Sequence, residues 1–328
     1  MSTAPLDDVA GEYAALRGGV GVIADRLEAI WVRGPDAVSF LQATLTQDLT
    51  AFSQGVVTRA FLLSPQGKIR TMLWVLVGND EVVLLCDVGS QATVLGDLTR
   101  FKLNTDATID AVLGPVLEVI GPDASSLVCD LGYVVPESRR WGFSSSGEMV
   151  ASIGHIRVEL ARYVLIGPST EAVVDAGAVL VGHSAAEAVR IEAGEPVMGS
   201  DVSESALVHE VGVLNGSVSF TKGCYLGQEI VERIDSRGRV TKRIVGLVMK
   251  SGVTPPSGAV VFVGGEPTGE ITSAAESFEL DAPIALAVVR HKVPDGAAVQ
   301  ITWPGGETSA TLHELPITTF AEDASVSE

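Results

Sequence analysis

The sequence predicts an α+β protein that ends in a small antiparallel β domain. At three places, residues 30–36, 117–123 and 163–169, an apolar run meets Gly-Pro and then a helical pattern. Adjacent antiparallel strand patterns followed by a helix favour α+β over a doubly wound parallel sheet. From about Thr241, short apolar runs alternate evenly with Gly/Pro-rich turns, which is typical of a small barrel or sandwich.

The first of these units predicts a strand followed by a helix. Proline suits the first helical position because its missing N–H would be unpaired there in any case. After Pro35, the residues Val38, Leu41 and Leu45 form one helical stripe.

Strand patterns over 71–77 and 82–86 flank a Gly-Asn-Asp turn at 78–80, which predicts a hairpin.

A later helix carries two candidate site residues, Arg190 and Glu192. The spacing of Ser184 and Glu187 is that of a capping box, and Gly194 with Pro196 beyond it predicts the helix end. A carboxylate at a helix C-terminus opposes the dipole. Glu192 is therefore either a solvent-facing acid or a residue with a compensating partner.

Length and charge limit the class of protein. A chain of 328 residues with 46% apolar content is globular, and two or three domains are expected. A net charge of −19 argues against general binding to nucleic acid or anionic membranes. No apolar run approaches a membrane span, and the N-terminus lacks the features of a secretory signal. We therefore expect a cytoplasmic protein.

The cysteine pattern argues against a metal centre or a disulfide framework. Cys86, Cys129 and Cys224 are widely separated and form no Cys-x-x-Cys pair. A typical iron–sulfur cluster needs four thiolates, which the chain cannot supply alone. The five histidines show no ligand spacing. No metal site is predicted, and any link to clusters has to involve other proteins or a cluster shared between chains.

The most informative segment is Thr221–Glu232, Thr-Lys-Gly-Cys-Tyr-Leu-Gly-Gln-Glu-Ile-Val-Glu. It places Cys224 just ahead of a predicted amphipathic helix that ends near Gly238, and two residues from Lys222. Helix N–H groups and a nearby cation both favour a thiolate, which makes a cysteine reactive. The alternative is that Cys224 is a small buried hydrophobe.

Basic residues are concentrated around the same segment of an otherwise acidic chain. The cluster consists of Lys222, Arg233, Arg237, Arg239, Lys242 and Arg243. A local cationic patch against a negative background suits the capture of a small anion. A solvated helix end followed by an ordinary loop is the alternative, because arginine near a helix C-terminus is favourable by itself.

Residues 222–229, Lys-Gly-Cys-Tyr-Leu-Gly-Gln-Glu, resemble the Lys-Gly-Cys-Tyr-x-Gly-Gln-Glu motif of the YgfZ-type folate-binding proteins. These are relatives of the glycine-cleavage T-protein, an aminomethyltransferase, and are linked to maintenance of iron–sulfur enzymes. The motif positions are Lys222, Gly223, Cys224, Tyr225, Gly227, Gln228 and Glu229. The similarity extends to segments 34–42, 63–68, 190–201 and 269–273.

This resemblance implies a fold and a domain division. The family fold is a multi-lobed cloverleaf around a central folate channel, with a C-terminal antiparallel β-barrel. On this chain it implies a folate-binding region over 1–240, made of two α+β lobes at approximately 1–110 and 111–240. The barrel then covers 241–318. The acidic, polar residues 319–328 are expected to be a disordered tail.

The resemblance also implies a tetrahydrofolate-binding protein that supports assembly or repair of iron–sulfur enzymes. Cys224 and Lys222 are then the catalytic pair, with Cys224 facing the folate channel or a surface partner. Glu192 is at the position of the pterin-contacting glutamate of T-protein relatives, Arg190 lies beside it, and Arg233 or Arg237 attracts the glutamate tail. The expected partners are reduced folate and iron–sulfur enzymes or their assembly proteins, without nucleic acid or membrane.

One departure from the family pattern bears on the reaction. T-proteins carry an acidic pair shortly after the turn that corresponds to Gly67, and one aspartate acts on the one-carbon unit. Here the chain continues Lys-Ile-Arg-Thr-Met over 68–72, without a carboxylate. A folate-dependent one-carbon transferase, aminomethyltransferase-like, is therefore the alternative function, and a ligand-free interaction protein on the same fold is the third.

Overall fold

The computed structural model describes residues 8–238 and 240–319. The described helices are α1 Val9–Gly18, α2 Ala37–Thr44, α3 Gln91–Phe101, α4 Ala124–Asp130, α5 Thr170–Asp175, α6 His183–Glu192 and α7 Gln228–Arg237. The first eleven strands are β1 Gly21–Ile23, β2 Leu27–Arg33, β3 Val56–Leu63, β4 Ile69–Val77, β5 Glu81–Asp87, β6 Thr108–Ala111, β7 Val116–Ile120, β8 Trp141–Phe143, β9 Met149–Ser152, β10 Arg162–Ile166 and β11 Val179–Leu180. The last six are β12 Lys242–Met249, β13 Val260–Val263, β14 Glu266–Ser277, β15 Ala282–Arg290, β16 Ala298–Trp303 and β17 Gly306–His313.

Two sheets form the first part of the molecule. The five-stranded sheet has the order β3-β4-β5-β2-β6, and the six-stranded sheet has the order β11-β1-β7-β10-β9-β8. One face of the five-stranded sheet packs on α2 and α3 through residues such as Leu41, Leu84 and Leu98. Its other face packs on the six-stranded sheet, where Leu85 and Ala151 share one apolar cluster. Although β1 precedes all strands of the five-stranded sheet, it pairs with β7 and β11 in the other sheet.

The late β domain is a closed six-stranded antiparallel barrel in the order β12-β15-β14-β13-β16-β17. Its interior is filled by alternating aliphatic side chains, among them Val245, Leu247, Ala285 and Ile301. Helix α6 attaches the barrel to the rest of the molecule, because Ile191 packs against Ile284 and Leu286 of β15. The predicted α+β class and the C-terminal barrel are both confirmed.

Several local predictions are confirmed as well, and one is wrong. The hairpin at 78–80 joins β4 to β5, and the helix after Pro35 is α2. Helix α6, however, begins at His183 with Gly182 as its N-cap, and no side chain caps it. The Gly182 N–H donates instead to the Glu12 carboxylate, 3.0 Å away. A contact distant in the chain thus replaces the predicted capping box.

Two further predictions concern membrane spans and the C-terminal residues. No helix in the described ranges is long and apolar enough to cross a membrane. The predicted tail at 319–328 falls, apart from its first residue, outside the described residues.

Candidate functional site: a central cavity and an exposed cysteine loop

The cysteine motif forms a loop that enters helix α7. Gly227 is the N-cap and has a positive φ of 82°, a conformation that glycine adopts without strain. The Gln228 side chain holds the loop in place: its Oε1 accepts from the Tyr225 N–H at 3.2 Å, and its Nε2 donates to Glu232 at 2.7 Å. Gly223 and Glu229 are exposed. The motif thus specifies the shape of a surface loop.

This loop packs on the β3–β4 turn, where glycine is required on both sides. A Cβ on Gly227 would lie 2.8 Å from the Ser64 carbonyl oxygen, and a Cβ on Gly67 would lie 2.7 Å from the Ile230 Cβ. Gly67 also has a positive φ of 69°. The two family-like segments, 63–68 and 222–229, are therefore in direct contact.

Lys222 is buried beneath the loop. Its Nζ donates to the carbonyl oxygens of Gln42, Leu45 and Gln47 at 2.5, 2.8 and 2.8 Å. The Gln42 carbonyl belongs to the last turn of α2, and Leu45 and Gln47 follow that helix. A cation is favourable at a helix C-terminus. Burial lowers the pKa of Lys222 to about 8. All three ammonium hydrogens have carbonyl partners, so this geometry gives Lys222 a role in joining the loop to α2.

Cys224 lies on the outside of the same loop and is exposed. It lines an open surface groove of about 730 Å³ whose other walls include Phe40 of α2, Pro65 of the β3–β4 turn and Phe101 at the end of α3. The exposed thiol agrees with the surface alternative of the sequence analysis. It excludes the interpretation of Cys224 as a buried hydrophobe.

A second and separate cavity lies in the middle of the molecule. It is enclosed by β3, β4 and β5 on one side and by the segments 156–162, 190–197 and 213–217 on the other. Its volume is about 60 Å³. The wall residues are Arg26, Leu27, Arg59, Ala60, Phe61, Met72, Leu73, Trp74, Leu85, Cys86, Asp87, Ile156, Arg162, Arg190, Glu195, Pro196, Val197, Val213 and Ser217. Apolar and aromatic walls with a few charged groups are typical of cofactor sites.

Most charges of this cavity are paired. Arg162 donates to Glu118 and Glu195, both at 2.7 Å. Glu195 also accepts from the Ile156 N–H at 2.7 Å and lies 3.1 Å from His155 Nδ1. Despite burial, these partners hold the pKa of Glu195 well below its usual value. The buried network fixes the geometry of one wall.

Arg190, a predicted site residue, is part of the cavity wall. Its Nη1 donates to Asp201 at 2.6 Å and to the Glu195 carbonyl at 2.7 Å, and its other side pairs with Glu187. Asp201 in turn accepts from Ser273 of the barrel strand β14 at 2.7 Å. Arg190 therefore connects the cavity to the barrel.

Glu192, predicted to contact a pterin, does not line this cavity. It is fully buried between α1 and the barrel, where it accepts from Tyr13 at 2.9 Å and from Ser277 at 2.6 Å and pairs with Arg17 at 3.2 Å. The helical turn that directs Arg190 towards the cavity directs Glu192 to another face of α6. Glu192 and Cys224 line no common cavity among the described residues, so of the two placements expected for Cys224, facing the channel or facing a surface partner, this arrangement favours the surface.

Asp87 is a cavity residue that the sequence analysis missed. It ends β5, is half-buried, and accepts from the Met198 N–H at 2.9 Å. Burial raises its pKa to about 6, although that hydrogen bond and the nearby Arg26 act in the opposite direction. A carboxylate that directly follows the apolar run over 82–86 is the signal that could have identified it.

The segment after Gly67 contributes no carboxylate to the cavity. Arg70 pairs with Asp97 at 2.8 Å and with Glu204, and Met72 lines the cavity. In the antiparallel β4–β5 pair Trp74 lies opposite Leu85. Met72 lies two residues before Trp74 in β4, and Asp87 lies two residues after Leu85 in β5, so both are displaced towards the same end of the pair. Both line the cavity, and the neighbouring strand therefore supplies a carboxylate on the same wall.

Arg233, one of the two predicted tail-binding arginines, is not among the residues that line the cavity. Arg233 is exposed on α7. The side chain of Arg237 lies outside the described part of the chain. Neither the cavity nor the groove includes a described atom of these two residues.

Comparison with known proteins defines the class. Residues 3–167 match the GCVT N-terminal domain, and residues 242–318 match the glycine cleavage T-protein C-terminal barrel domain. The chain belongs to the glycine cleavage T-protein family.

The sequence similarity to individual relatives extends over nearly the whole length of the chain. The chain is 27% identical to an aminomethyltransferase of Streptomyces avermitilis over 93% of its own length and 88% of the relative's. It is 26% identical to an aminomethyltransferase of Thermus thermophilus over 93% and 89% of the two chains. The crystal structure of the glycine cleavage system aminomethyltransferase T of Bartonella henselae superposes with a TM-score of 0.85 at 22% identity, covering 96% of this chain and 91% of that one. This last likeness concerns the fold.

Proposed function

We propose that the protein binds a reduced folate in the central cavity and takes part in one-carbon chemistry that depends on it. The observation that carries this proposal is the cavity itself, in a chain of the T-protein family. It combines the aromatic walls Phe61 and Trp74 with the polar groups of Asp87, Arg59 and Ser217. A pteridine ring offers a flat π surface and an edge of hydrogen-bond donors and acceptors, so such walls complement it.

The cavity is narrow. At about 60 Å³ it accommodates a few water molecules. Entry of a bicyclic ring therefore requires wall side chains to move. Met72 and Trp74 are suited to this because both are only half-buried, and Met is a flexible gap-filling residue.

Anaerobic titration calorimetry with tetrahydrofolate tests the proposal. Trp74→Ala should weaken binding about tenfold, because it removes the stacking surface. Trp303→Ala is the matched control, since Trp303 packs partly buried in the barrel and is not part of the cavity wall. Absence of tetrahydrofolate binding to the unmodified chain refutes the proposal, and equal losses in both variants refute the location.

Aminomethyl transfer is a more specific activity within this one-carbon chemistry, and the names of the relatives favour it. Their similarity spans more than nine-tenths of this chain. The absence of a carboxylate from residues 68–72 weighs against an identical mechanism, whereas Asp87 offers a carboxylate on the adjacent strand. Production of methylenetetrahydrofolate from tetrahydrofolate and an aminomethyl donor tests this function directly.

Support of iron–sulfur enzymes, as in YgfZ-type proteins, is the second candidate. The exposed Cys224 in its constrained motif loop favours it, because a solvent-accessible thiol can reach a partner protein. In a strain lacking the protein, the Cys224→Ala variant should fail to restore iron–sulfur enzyme activities. Cys129→Ala is the control, as Cys129 is also exposed but lies outside the motif. Full complementation by Cys224→Ala eliminates this candidate.

A further inference from the structure

Four arginines line the central cavity, and one of them differs from the rest. Arg26 lies 3.8 Å from Glu187, Arg162 lies 2.7 Å from Glu195, and Arg190 lies 2.6 Å from Asp201. Arg59 forms no ion pair or hydrogen bond with any described residue, and its Nε and Nη1 are buried without a partner. Its contact is the face of Trp74, 5.1 Å from the ring centroid.

The surroundings of Arg59 are unfavourable for a cation. Burial lowers its pKa to about 10, and Arg139, whose guanidinium is 5.8 Å from the same Trp74 ring, acts in the same direction, whereas the Glu195 carboxylate acts against both without contacting Arg59. A buried charge without a counter-ion is strongly destabilising unless something pairs with it. Such groups are concentrated at functional sites, where a ligand provides the missing partner.

Ser217 is an independent indication of a ligand in this cavity. It is 2% exposed and lines the cavity, and its Oγ is buried with no partner in the described structure. Buried hydroxyl groups are normally hydrogen-bonded. Two donor groups on the cavity wall, a guanidinium and a hydroxyl, thus lack acceptors.

The carboxylates of the same cavity do not supply those acceptors. The Glu195 carboxylate already pairs with Arg162, accepts from the Ile156 N–H and lies beside His155. Asp87 accepts from the Met198 N–H. A volume of about 60 Å³ matches a small planar group, and the fork of a guanidinium is complementary to a pair of oxygen acceptors.

We propose that Arg59 and Ser217 form a site for a planar oxygen-acceptor group, a carboxylate or the carbonyl oxygen of a ring amide, placed beside Trp74. Two sources share this chemistry: a free one-carbon carboxylate such as formate, and the oxygen-bearing edge of a ring held in the cavity. The second source rests on the proposed function, and the first does not.

Thermal unfolding distinguishes the sources and tests the site. At matched ionic strength, sodium formate should raise the unfolding midpoint above that in sodium chloride by about 2 °C if free formate binds. Arg59→Met should raise the midpoint of the ligand-free chain, because it removes an unpaired buried charge, and should abolish the formate shift. Ser217→Ala should reduce that shift without the gain in the ligand-free midpoint.

Arg33→Met is the matched control. Arg33 also lies over a tryptophan, 3.9 Å from the Trp31 ring, but it is exposed and close to Glu81. This variant should give neither the gain in midpoint nor the loss of the formate shift. Arg59→Lys should bind formate more weakly than the unmodified chain does, because lysine keeps the charge without the planar fork of the guanidinium.

The outcomes separate this site from folate binding in general. If formate gives no shift, but Arg59→Met weakens tetrahydrofolate binding at least tenfold, the ring is the source. If formate binding depends on Arg59 and tetrahydrofolate does not bind, the proposed function fails and the site stands. If Arg59→Met changes neither the formate shift nor the tetrahydrofolate affinity, the site is refuted. The site is also refuted if that variant lowers the unfolding midpoint measured without ligand and retains the formate shift.

Discussion

Tyr13 donates its phenolic hydrogen to Glu192, with distances of 3.0 and 2.9 Å from the tyrosine oxygen to the two carboxylate oxygens. Ser277 of β14 completes the arrangement at 2.6 Å. Glu192 therefore joins the N-terminal helix α1, helix α6 and the barrel. Because one carboxylate satisfies groups from all three elements, its first role in this arrangement is to hold the parts of the molecule together.

Replacement of Glu192 should accordingly affect stability more than ligand binding. We expect Glu192→Ala to lower the free energy of unfolding by about 3 kcal/mol, since it leaves buried polar groups without their partner. Chemical denaturation measures this. Glu279→Ala is the control, because Glu279 is 51% exposed and lies 3.4 Å from Arg17; it should cost under about 1 kcal/mol. A large loss of tetrahydrofolate affinity in Glu192→Ala with unchanged stability would contradict the assignment.

Lys222 should likewise affect stability, because it pairs with carbonyl oxygens at the C-terminal end of α2 and just after it. Lys222→Met leaves three carbonyl oxygens without their donor and should cost about 2 kcal/mol in thermal or chemical unfolding. The exposed Lys250 provides the control variant Lys250→Met. We expect the alkylation rate of Cys224 to change less than about twofold in Lys222→Met. A drop of tenfold or more would instead support Lys222 as the group that activates the thiol.

The three cysteines should differ sharply in their reaction with a maleimide. Cys224 and Cys129 are exposed, whereas Cys86 is buried and burial raises its pKa. We expect two thiols to react rapidly in the native state and the third only after unfolding. Mass spectrometry with Cys129→Ser isolates the Cys224 signal. Labelling of Cys224 as slow as that of Cys86 would contradict an accessible thiol.

Asp87 should make stability depend on pH. Its folded-state pKa of about 6 is raised above the usual 3.8. The contribution of Asp87 to the free energy of unfolding is therefore fully present below about pH 4, where the carboxyl is protonated. It is lost as the pH rises through about 6 and the buried group ionises. Asp87→Asn should be close to neutral at pH 4 and stabilising at pH 8, by up to about 3 kcal/mol. Equal stability differences at both pH values, measured by denaturant unfolding, would show that Asp87 is not titrating in this range.

Gly227 provides a test of the contact between the motif loop and the β3–β4 turn. Gly227→Ala introduces both a strained φ and a methyl group 2.8 Å from the Ser64 carbonyl oxygen. Gly132→Ala is a close control, because Gly132 has a φ of 85° with open space around it. We expect a loss of about 1 kcal/mol for the control from backbone strain and at least about 2 kcal/mol for Gly227→Ala. Similar losses in both variants would show that the turn contact contributes little.

Local patterns were sufficient for much of the fold and for the cysteine loop. The stripe of Val38 and Leu41 predicts α2, the Gly-Asn-Asp turn predicts the β4–β5 hairpin, and the even strand spacing after Thr241 predicts the barrel domain. These signals depend on residues a few positions apart, because helical and strand periodicities are themselves local. The motif at 222–229 indicated the loop for the same reason.

The composition of the central cavity was decided only by the tertiary structure. Arg59, Asp87, Arg190 and Ser217 come from four separate parts of the chain, and no short-range pattern relates them. Likewise, helical spacing puts Arg190 and Glu192 on one helix, but the packing of α1 and the barrel determines that Glu192 is turned away from the cavity. Which side chains meet in an interior depends on how distant elements pack, since that packing balances apolar burial against the pairing of buried charges.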